Sequence, residues 1–183
     1  MIDTSTDALF ESIEIDGPEL GPTGRPLPDL PEPQPPQGTG RALIIAMCNQ
    51  KGGVGKSTKA RALAREASAC GIKTKLADLD LEQATSAEWH RRRLSAGLPP
   101  VASVEVFSTA KQAIESAGEF DLLILDGPAR ASKGTSEIAK VADLIVQPTG
   151  ASLDDLVPAI KVFNALVKEG VPRSKLVDRK SVV

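Results

Sequence analysis

The chain has 183 residues, enough for one domain with a core of its own. Its net charge of −2 hides an asymmetry: residues 1–40 carry eight acids against one base, Arg25, a net −7 that leaves +5 on the remainder. No apolar run approaches the ~20 residues needed to cross a bilayer, the start lacks the basic and apolar parts of a secretory signal, and two cysteines, Cys48 and Cys70, are too few for a disulfide scaffold. Membrane-spanning and disulfide-rich secreted classes are thereby excluded, a reducing cytosol is expected, and a mildly basic body suits anionic partners such as nucleotide or DNA without identifying one.

Residues 1–40 hold eight of the fourteen prolines. Pro26-Leu27-Pro28 through Pro35-Pro36 reads as an extended, polyproline-like stretch, and the composition predicts a disordered acidic tail. The alternative is a partner-binding segment in which Leu9-Phe10-Glu11-Ser12-Ile13-Glu14-Ile15 orders on binding; it is too acidic to grip DNA. From residue 41 the pattern changes. Leu43–Cys48 is a short, wholly apolar run, as expected of a strand buried on both faces. It leads into Lys51-Gly52-Gly53-Val54-Gly55-Lys56-Ser57-Thr58. The usual phosphate loop, G-x-x-x-x-G-K-S/T, wants a glycine five residues before Gly55, where this chain has Gln50. What remains is the deviant form, with a lysine at each end. Gly52, Gly53 and Gly55 let the backbone turn so that N–H groups point at phosphate oxygens, with Val54 carried between them. The dipole of the following helix adds to that field. Lys56 can reach the β- and γ-phosphates and the Ser57 hydroxyl can ligate Mg2+, with Thr58 beside it. Lys51 is not needed to hold a nucleotide within one subunit.

A helix is predicted from about Lys56 to Cys70, ended by Gly71. Thr74–Asp78 is a second strand, Gln83–Ala96 a helix, Ser103–Phe107 a third strand and Lys111–Ala117 a short helix. Leu122–Leu125 is an apolar strand ending at Asp126. Ser136–Ala142 is helical, and Leu144–Val146 a strand stopped by Pro148. Ser152 is placed to cap a helix through Lys168 with Asp154 and Asp155 in its first turn, which Pro158 splits or delays. Repeated strand–helix units of this length imply an α/β fold with three layers: a mostly parallel sheet with helices on both faces. Ligands bind such sheets at the carboxyl ends of the strands, where Asp78, Asp80 and Asp126 all fall. Taken singly, Asp78 and Asp80 could cap the next helix and Asp126 could open a turn. Beside the loop at this spacing, Asp126 suits Mg2+ binding and Asp80 the orientation of an attacking water. Trp89 reads as a packing residue, His90 as exposed and structural, Cys48 and Cys70 as small core residues, and Arg91-Arg92-Arg93 as a solvated helix face rather than a DNA patch.

Lys51–Thr58, Asp78-Leu79-Asp80 and Asp121–Asp126 together resemble the ParA/MinD group of deviant-Walker P-loop ATPases, with the ParA partitioning branch fitting best. Ala142-Asp143-Leu144-Ile145-Val146-Gln147-Pro148 followed by Ser152-Leu153-Asp154 is similar to a segment of that branch. The likeness covers about residues 42–177. It implies ATP sandwiched between two subunits, with Lys51 reaching the partner's nucleotide in the manner of an arginine finger. It also implies Lys56, Ser57 and Asp80 as Walker lysine, Mg2+-ligating hydroxyl and water-positioning aspartate, and Asp126 as Walker B aspartate. The implied cycle is ATP-driven homodimerisation, non-specific DNA binding and hydrolysis stimulated by a centromere-binding partner, in a cytoplasmic, nucleoid-associated protein without a membrane partner. The family's D-P-Q after the second aspartate is replaced by Leu81-Glu82-Gln83, so the loop after Asp80 is expected to depart from the family's. No cysteine pair suggests an iron–sulfur cluster, and the absence of tyrosine counts against a tyrosine kinase of the superfamily. A conjugative-transfer accessory ATPase of the same family and an ATP-dependent amidoligase of the dethiobiotin-synthetase type are the alternatives.

The end of the chain reads differently. Ser174-Lys175-Leu176-Val177 should begin a buried strand, whereas Asp178-Arg179-Lys180-Ser181-Val182-Val183 is charged. That hexapeptide is also the translation of GATCGGAAGAGCGTCGTG, the start of a widely used sequencing adapter. The expected organisation is therefore a tail over 1–40, a partial ATPase domain over 41–177, incomplete at the C-terminus, and a non-native tail over 178–183.

Overall fold

A computed structural model describes residues 40–49, 51–128, 133–150 and 152–180. The acidic proline-rich segment before Gly40, with its Leu9–Ile15 stretch, lies outside the described residues, as do Gln50 and Ser181–Val183. Strands β1 (Leu43–Met47), β2 (Thr74–Asp78), β3 (Ser103–Val106), β4 (Leu122–Asp126), β5 (Leu144–Thr149) and β6 (Leu176–Lys180) form one sheet in the order β3-β2-β4-β1-β5-β6. Every neighbouring pair is parallel. Helices α1 (Lys56–Ala69), α2 (Thr85–Ser95), α3 (Ala110–Glu115), α4 (Lys133–Val141) and α5 (Leu153–Lys168) connect the strands. Among the described residues no helix is long and apolar enough to cross a membrane.

The central strands are apolar along their length because both faces are covered. On β4, Leu123 and Leu125 face a cluster built with Ala113 of α3, Ala139 of α4 and Val162 and Leu166 of α5. Leu122 and Ile124 face the other way, against Ala60, Ala64 and Ala67 of α1. Those three alanines recur at helical spacing and form one stripe, so α1 approaches the sheet closely with little side-chain entropy to lose. The register then sets the functional edge: Met47 lies abreast of Asp126, and Asp126 abreast of Asp78. Three strand ends thus open on one side of the sheet, beneath the start of α1.

Several local expectations need correction. Pro148 does not stop β5, which runs on to Thr149. The carbonyls of Val146 and Pro148 both face the β1 side, accepting from Cys48 N at 3.0 Å and Asn49 Nδ2 at 2.6 Å. Pairing of β5 with β1 ends at Val146, and beyond it β5 pairs with β6. The missing N–H of Pro148 therefore falls where no ladder bond is required. Pro158 neither splits nor delays α5, because it lies near the helix start and deletes one early bond. Ser152 is the N-cap of α5, but its hydroxyl donates to Asp155 Oδ2 at 2.9 Å rather than accepting from a backbone N–H. The last strand begins at Leu176 after a 3₁₀ turn, Arg173–Lys175, and Leu176 and Val177 are half-buried rather than buried. It continues to Lys180 opposite Thr149. Cys70 is exposed at the end of α1, whereas Cys48 is in the core, where burial pushes its thiol up to about 12. His90 is half-buried, not exposed, and its Nε2 has no hydrogen-bond partner among the described residues. Arg91 and Arg92 are exposed and pair with Glu88 along α2.

Candidate nucleotide site

Between β1 and α1 the chain must reverse within eight residues. Gly53 and Gly55 do this with φ of 75° and 90°, where a side chain would strain the backbone. Gly55 is the N-cap of α1, and the first turn of that helix has no acidic residue. Its free N–H groups and positive dipole end are therefore available to an anion. A cavity of about 260 Å³ opens there, lined by Gly53, Gly55, Lys56, Ser57, Thr58, Arg61, Asp80, Gln83, Thr85 and Gly127. Gly127 belongs to the same floor: a Cβ on it would lie 2.7 Å from the Met47 carbonyl oxygen, so the chain can leave β4 this closely only as glycine.

Lys56 is buried at 6% exposure, and its Nζ donates to the Lys51 carbonyl at 3.1 Å. Burial pushes its ammonium below the usual lysine range, opposed first by the charge of Asp126. One carbonyl is thin solvation for a buried cation, so a phosphate oxygen in this cavity would relieve it. Asp126 lies beneath the cavity rather than in its wall, 2% exposed. Its Oδ2 accepts from Ser86 Oγ at 2.6 Å, while Oδ1 is buried with no hydrogen-bond partner among the described residues. Burial pushes this carboxyl up; the Ser86 and Ser57 hydroxyls pull the other way, although no bond of normal geometry reaches Oδ1 from Ser57. An orphaned buried carboxylate oxygen beside a serine hydroxyl at a phosphate cavity fits Mg2+, which is ordinarily held by one or two protein oxygens plus phosphate and water.

The two acids of the second strand end part company. Asp78, 1% exposed, accepts from the N–H groups of Asp80 at 3.1 Å, Ser86 at 2.7 Å and Ala87 at 3.2 Å. It caps α2 and holds the loop, which leaves it no free oxygen for chemistry. Asp80 is half-buried and stands in the cavity wall near Lys56, with Oδ1 accepting from Gln83 N at 3.1 Å. The loop after it closes through Ala84, which takes φ 42° and ψ 42° and is the only non-glycine at positive φ among the described residues.

Lys51 is placed apart. Its ammonium is ion-paired with Asp155 in the first turn of α5, and its N–H donates to Asn49 Oδ1 at 2.9 Å. Lys51, Gly52 and Val54 line a second cavity of about 520 Å³ with Gly53, Gly55, Thr58, Lys59, Gly150 and Asp155. Gly150 makes the pairing possible, because a Cβ there would overlap the Asp155 carboxylate. Lys51 and the Ser152 hydroxyl hold that carboxyl below its usual range. The site thus presents Lys56, Ser57 and Asp80 to one cavity and Lys51 to another. Sequence reasoning did not single out Arg61, Ser86, Gly150 or the pairing role of Asp155. Arg61 alone carried a signal: a charged residue four after Ser57 on the helix that follows the loop.

The model of the CobQ/CobB/MinD/ParA nucleotide binding domain matches residues 45–179. A Gloeobacter kilaueensis protein named maintenance of carboxysome distribution protein A is 30% identical over 138 residues, covering 74% of this chain and 62% of that protein. An uncharacterized Mycobacterium tuberculosis protein is 46% identical over 68 residues, 37% of this chain and 21% of its own length. The chain therefore spans between a fifth and under two thirds of these relatives. Among solved structures, a plasmid partition protein from Borrelia burgdorferi superposes with a TM-score of 0.55 at 14% identity, covering 76% of this chain and 77% of that one. A variant of McdA from Cyanothece in complex with ATP superposes with a TM-score of 0.54 at 15% identity, covering 74% and 68%. At these identities the two structures speak to the fold, a P-loop α/β sheet.

Proposed function

This chain belongs to the CobQ/CobB/MinD/ParA family of nucleotide-binding domains, and from that premise we propose that it binds and hydrolyses ATP as a ParA-like protein in plasmid or chromosome partitioning. ATP drives its homodimerisation, the dimer binds DNA non-specifically on the nucleoid in the cytoplasm, and a centromere-binding partner stimulates hydrolysis. The observation that carries this reading is the separation of the two loop lysines, Lys56 turned to one cavity and Lys51 to another. A nucleotide in the first cavity uses Lys56, the N–H groups of Gly53, Val54 and Gly55 and the α1 dipole. Lys51 is then left for a phosphate held by a second subunit. A relative named for carboxysome distribution and a fold neighbour named for plasmid partition support a cargo-distributing role.

Lys56 leaves the Lys51 carbonyl to meet the β- and γ-phosphates. Ser57 and Asp126 would hold Mg2+, which when bound neutralises charge building on the phosphates. Asp80, fixed by Gln83 N–H, orients a water for attack on the terminal phosphorus. Lys51 exchanges Asp155 for the partner's phosphate, so hydrolysis waits on dimerisation. ATPase assays with and without DNA, paired with light scattering, test the reading. Lys56→Ala should abolish ATP binding, and Asp80→Ala should accumulate an ATP-bound dimer that hydrolyses slowly. Unchanged turnover in Asp80→Ala, or full turnover by a monomer of Lys51→Ala, would overturn it; the latter result fits an amidoligase, which has no use for a lysine acting across subunits.

A further inference from the structure

Arg61 lines the phosphate cavity beside Lys56, Ser57 and Asp80, and the chemistry above gives it no task. It stands one helical turn beyond Ser57, so both side chains leave α1 on the same face. Its guanidinium is half-buried, and among the described residues no carboxylate lies within ion-pair distance of it. Of its five donors only Nε–H is engaged among the described residues, reaching Ser86 Oγ at 3.3 Å, long for an N–H···O bond. Ser86 Oγ in turn donates to Asp126 Oδ2 at 2.6 Å. The guanidinium carbon lies 5.5 Å from the centroid of Trp89, the only tryptophan of the chain. Burial disfavours its charge, and the Asp126 and Asp78 carboxylates support it only from beyond ion-pair distance; a cation stacked on a ring at the wall of a cavity that already holds a buried lysine thus keeps donors to offer an anion. Its planar fork suits phosphate oxygens in pairs.

We propose that Arg61 is a phosphate-binding residue acting within its own subunit, closing its two terminal nitrogens on the outermost phosphate of a nucleoside triphosphate and so distinguishing triphosphate from diphosphate. This rests on the nucleotide reading of the site. The loop N–H groups and Lys56 serve the phosphates nearest the helix terminus. Asp80, which must lie near the terminal phosphorus to orient water, shares its wall with Arg61, and that wall is where the outermost phosphate belongs. In the free protein the guanidinium rests on Trp89; on triphosphate binding it leaves the ring, and the indole reports the move.

The test uses the full chain with Mg2+ and either AMPPNP or ADP, read by calorimetry and by Trp89 fluorescence. AMPPNP should shift the Trp89 emission more than ADP does. Arg61→Met should weaken AMPPNP by about tenfold or more while leaving ADP affinity within about twofold, with the fluorescence shift on AMPPNP lost. Arg61→Lys, which keeps the charge but not the fork, should fall between. Retained ADP binding certifies that the variant is folded. Equal weakening of both nucleotides, or of neither, in Arg61→Met would make Arg61 a strut between α1 and α2 and overturn the proposal. Failure of the unsubstituted chain to bind either nucleotide would instead sink the nucleotide reading, and the Arg61 assignment with it.

Discussion

Lys56 is a buried ammonium whose hydrogen-bond partner among the described residues is one backbone carbonyl. Its ordinary lysine value of 10.5 is pushed down by burial, so the folded chain loses this proton before the unfolded chain does. That difference costs stability at neutral pH, and the cost fades as pH rises from the depressed value toward 10.5. Replacing the ammonium by an apolar stem removes the cost. Lys56→Met without nucleotide should therefore melt no lower than the parent at pH 7, and up to about 5 °C higher, while binding no ATP. The gain should shrink toward pH 10. A melting temperature several degrees below the parent would mean that the Lys56–Lys51 contact holds the empty loop together. Asp126 shows the opposite chemistry: a carboxylate kept where burial disfavours its charge, the environment that the proposed Mg2+ would relieve.

At the scale of elements, α2 begins under strain. Its N-cap is Ala84 in left-handed backbone, and its first N–H groups are satisfied by Asp78 from β2, not by a capping side chain of its own. Ala84→Gly should raise the denaturation midpoint by an amount worth about 0.5–1 kcal/mol, because glycine accepts that φ freely and the relief exceeds the added freedom of the unfolded chain. Chemical denaturation monitored at Trp89 measures it; a loss of stability would show that the alanine methyl packs more usefully than its φ costs. The strand–helix alternation was legible in the chain because strands buried on both faces are written as apolar runs and glycines punctuate them. Asp126 was legible for the same reason, closing the run Leu122–Leu125. Asp78 was legible only as one alternative, a cap for the next helix, because that role depends on Ser86 and Ala87 returning to meet it, which loop conformation decides. Nor did Pro148 declare itself, since whether a strand tolerates proline depends on whether its neighbour still runs alongside, and β1 has by then turned into the loop.

For the molecule as a whole, the partner of Lys51 was the least legible feature. Lys51 and Asp155 are 104 positions apart and meet only because β1 and β5 are neighbours in the sheet. If Lys51 acts across subunits, two defective chains should repair one another. Lys51→Ala retains a competent pocket but lends no cation, whereas Lys56→Ala lends a cation but has no competent pocket. An equimolar mixture should turn over ATP above the average of the two alone. Activity equal to that average would place Lys51 in service of its own nucleotide.

On the proposed dimer reading, the Lys51–Asp155 pair also decides how the protein answers to ionic strength. Dissolved ions weaken every exposed charge contact, the internal one and the one across the dimer alike. If Lys51 trades one for the other as proposed, screening subtracts from both sides of the exchange, and its share of the subunit affinity is buffered against salinity. Asp155→Asn strips away one side of that balance. Dimerisation of this variant should begin at lower nucleotide concentration in dilute buffer and fall off more steeply as potassium chloride is added.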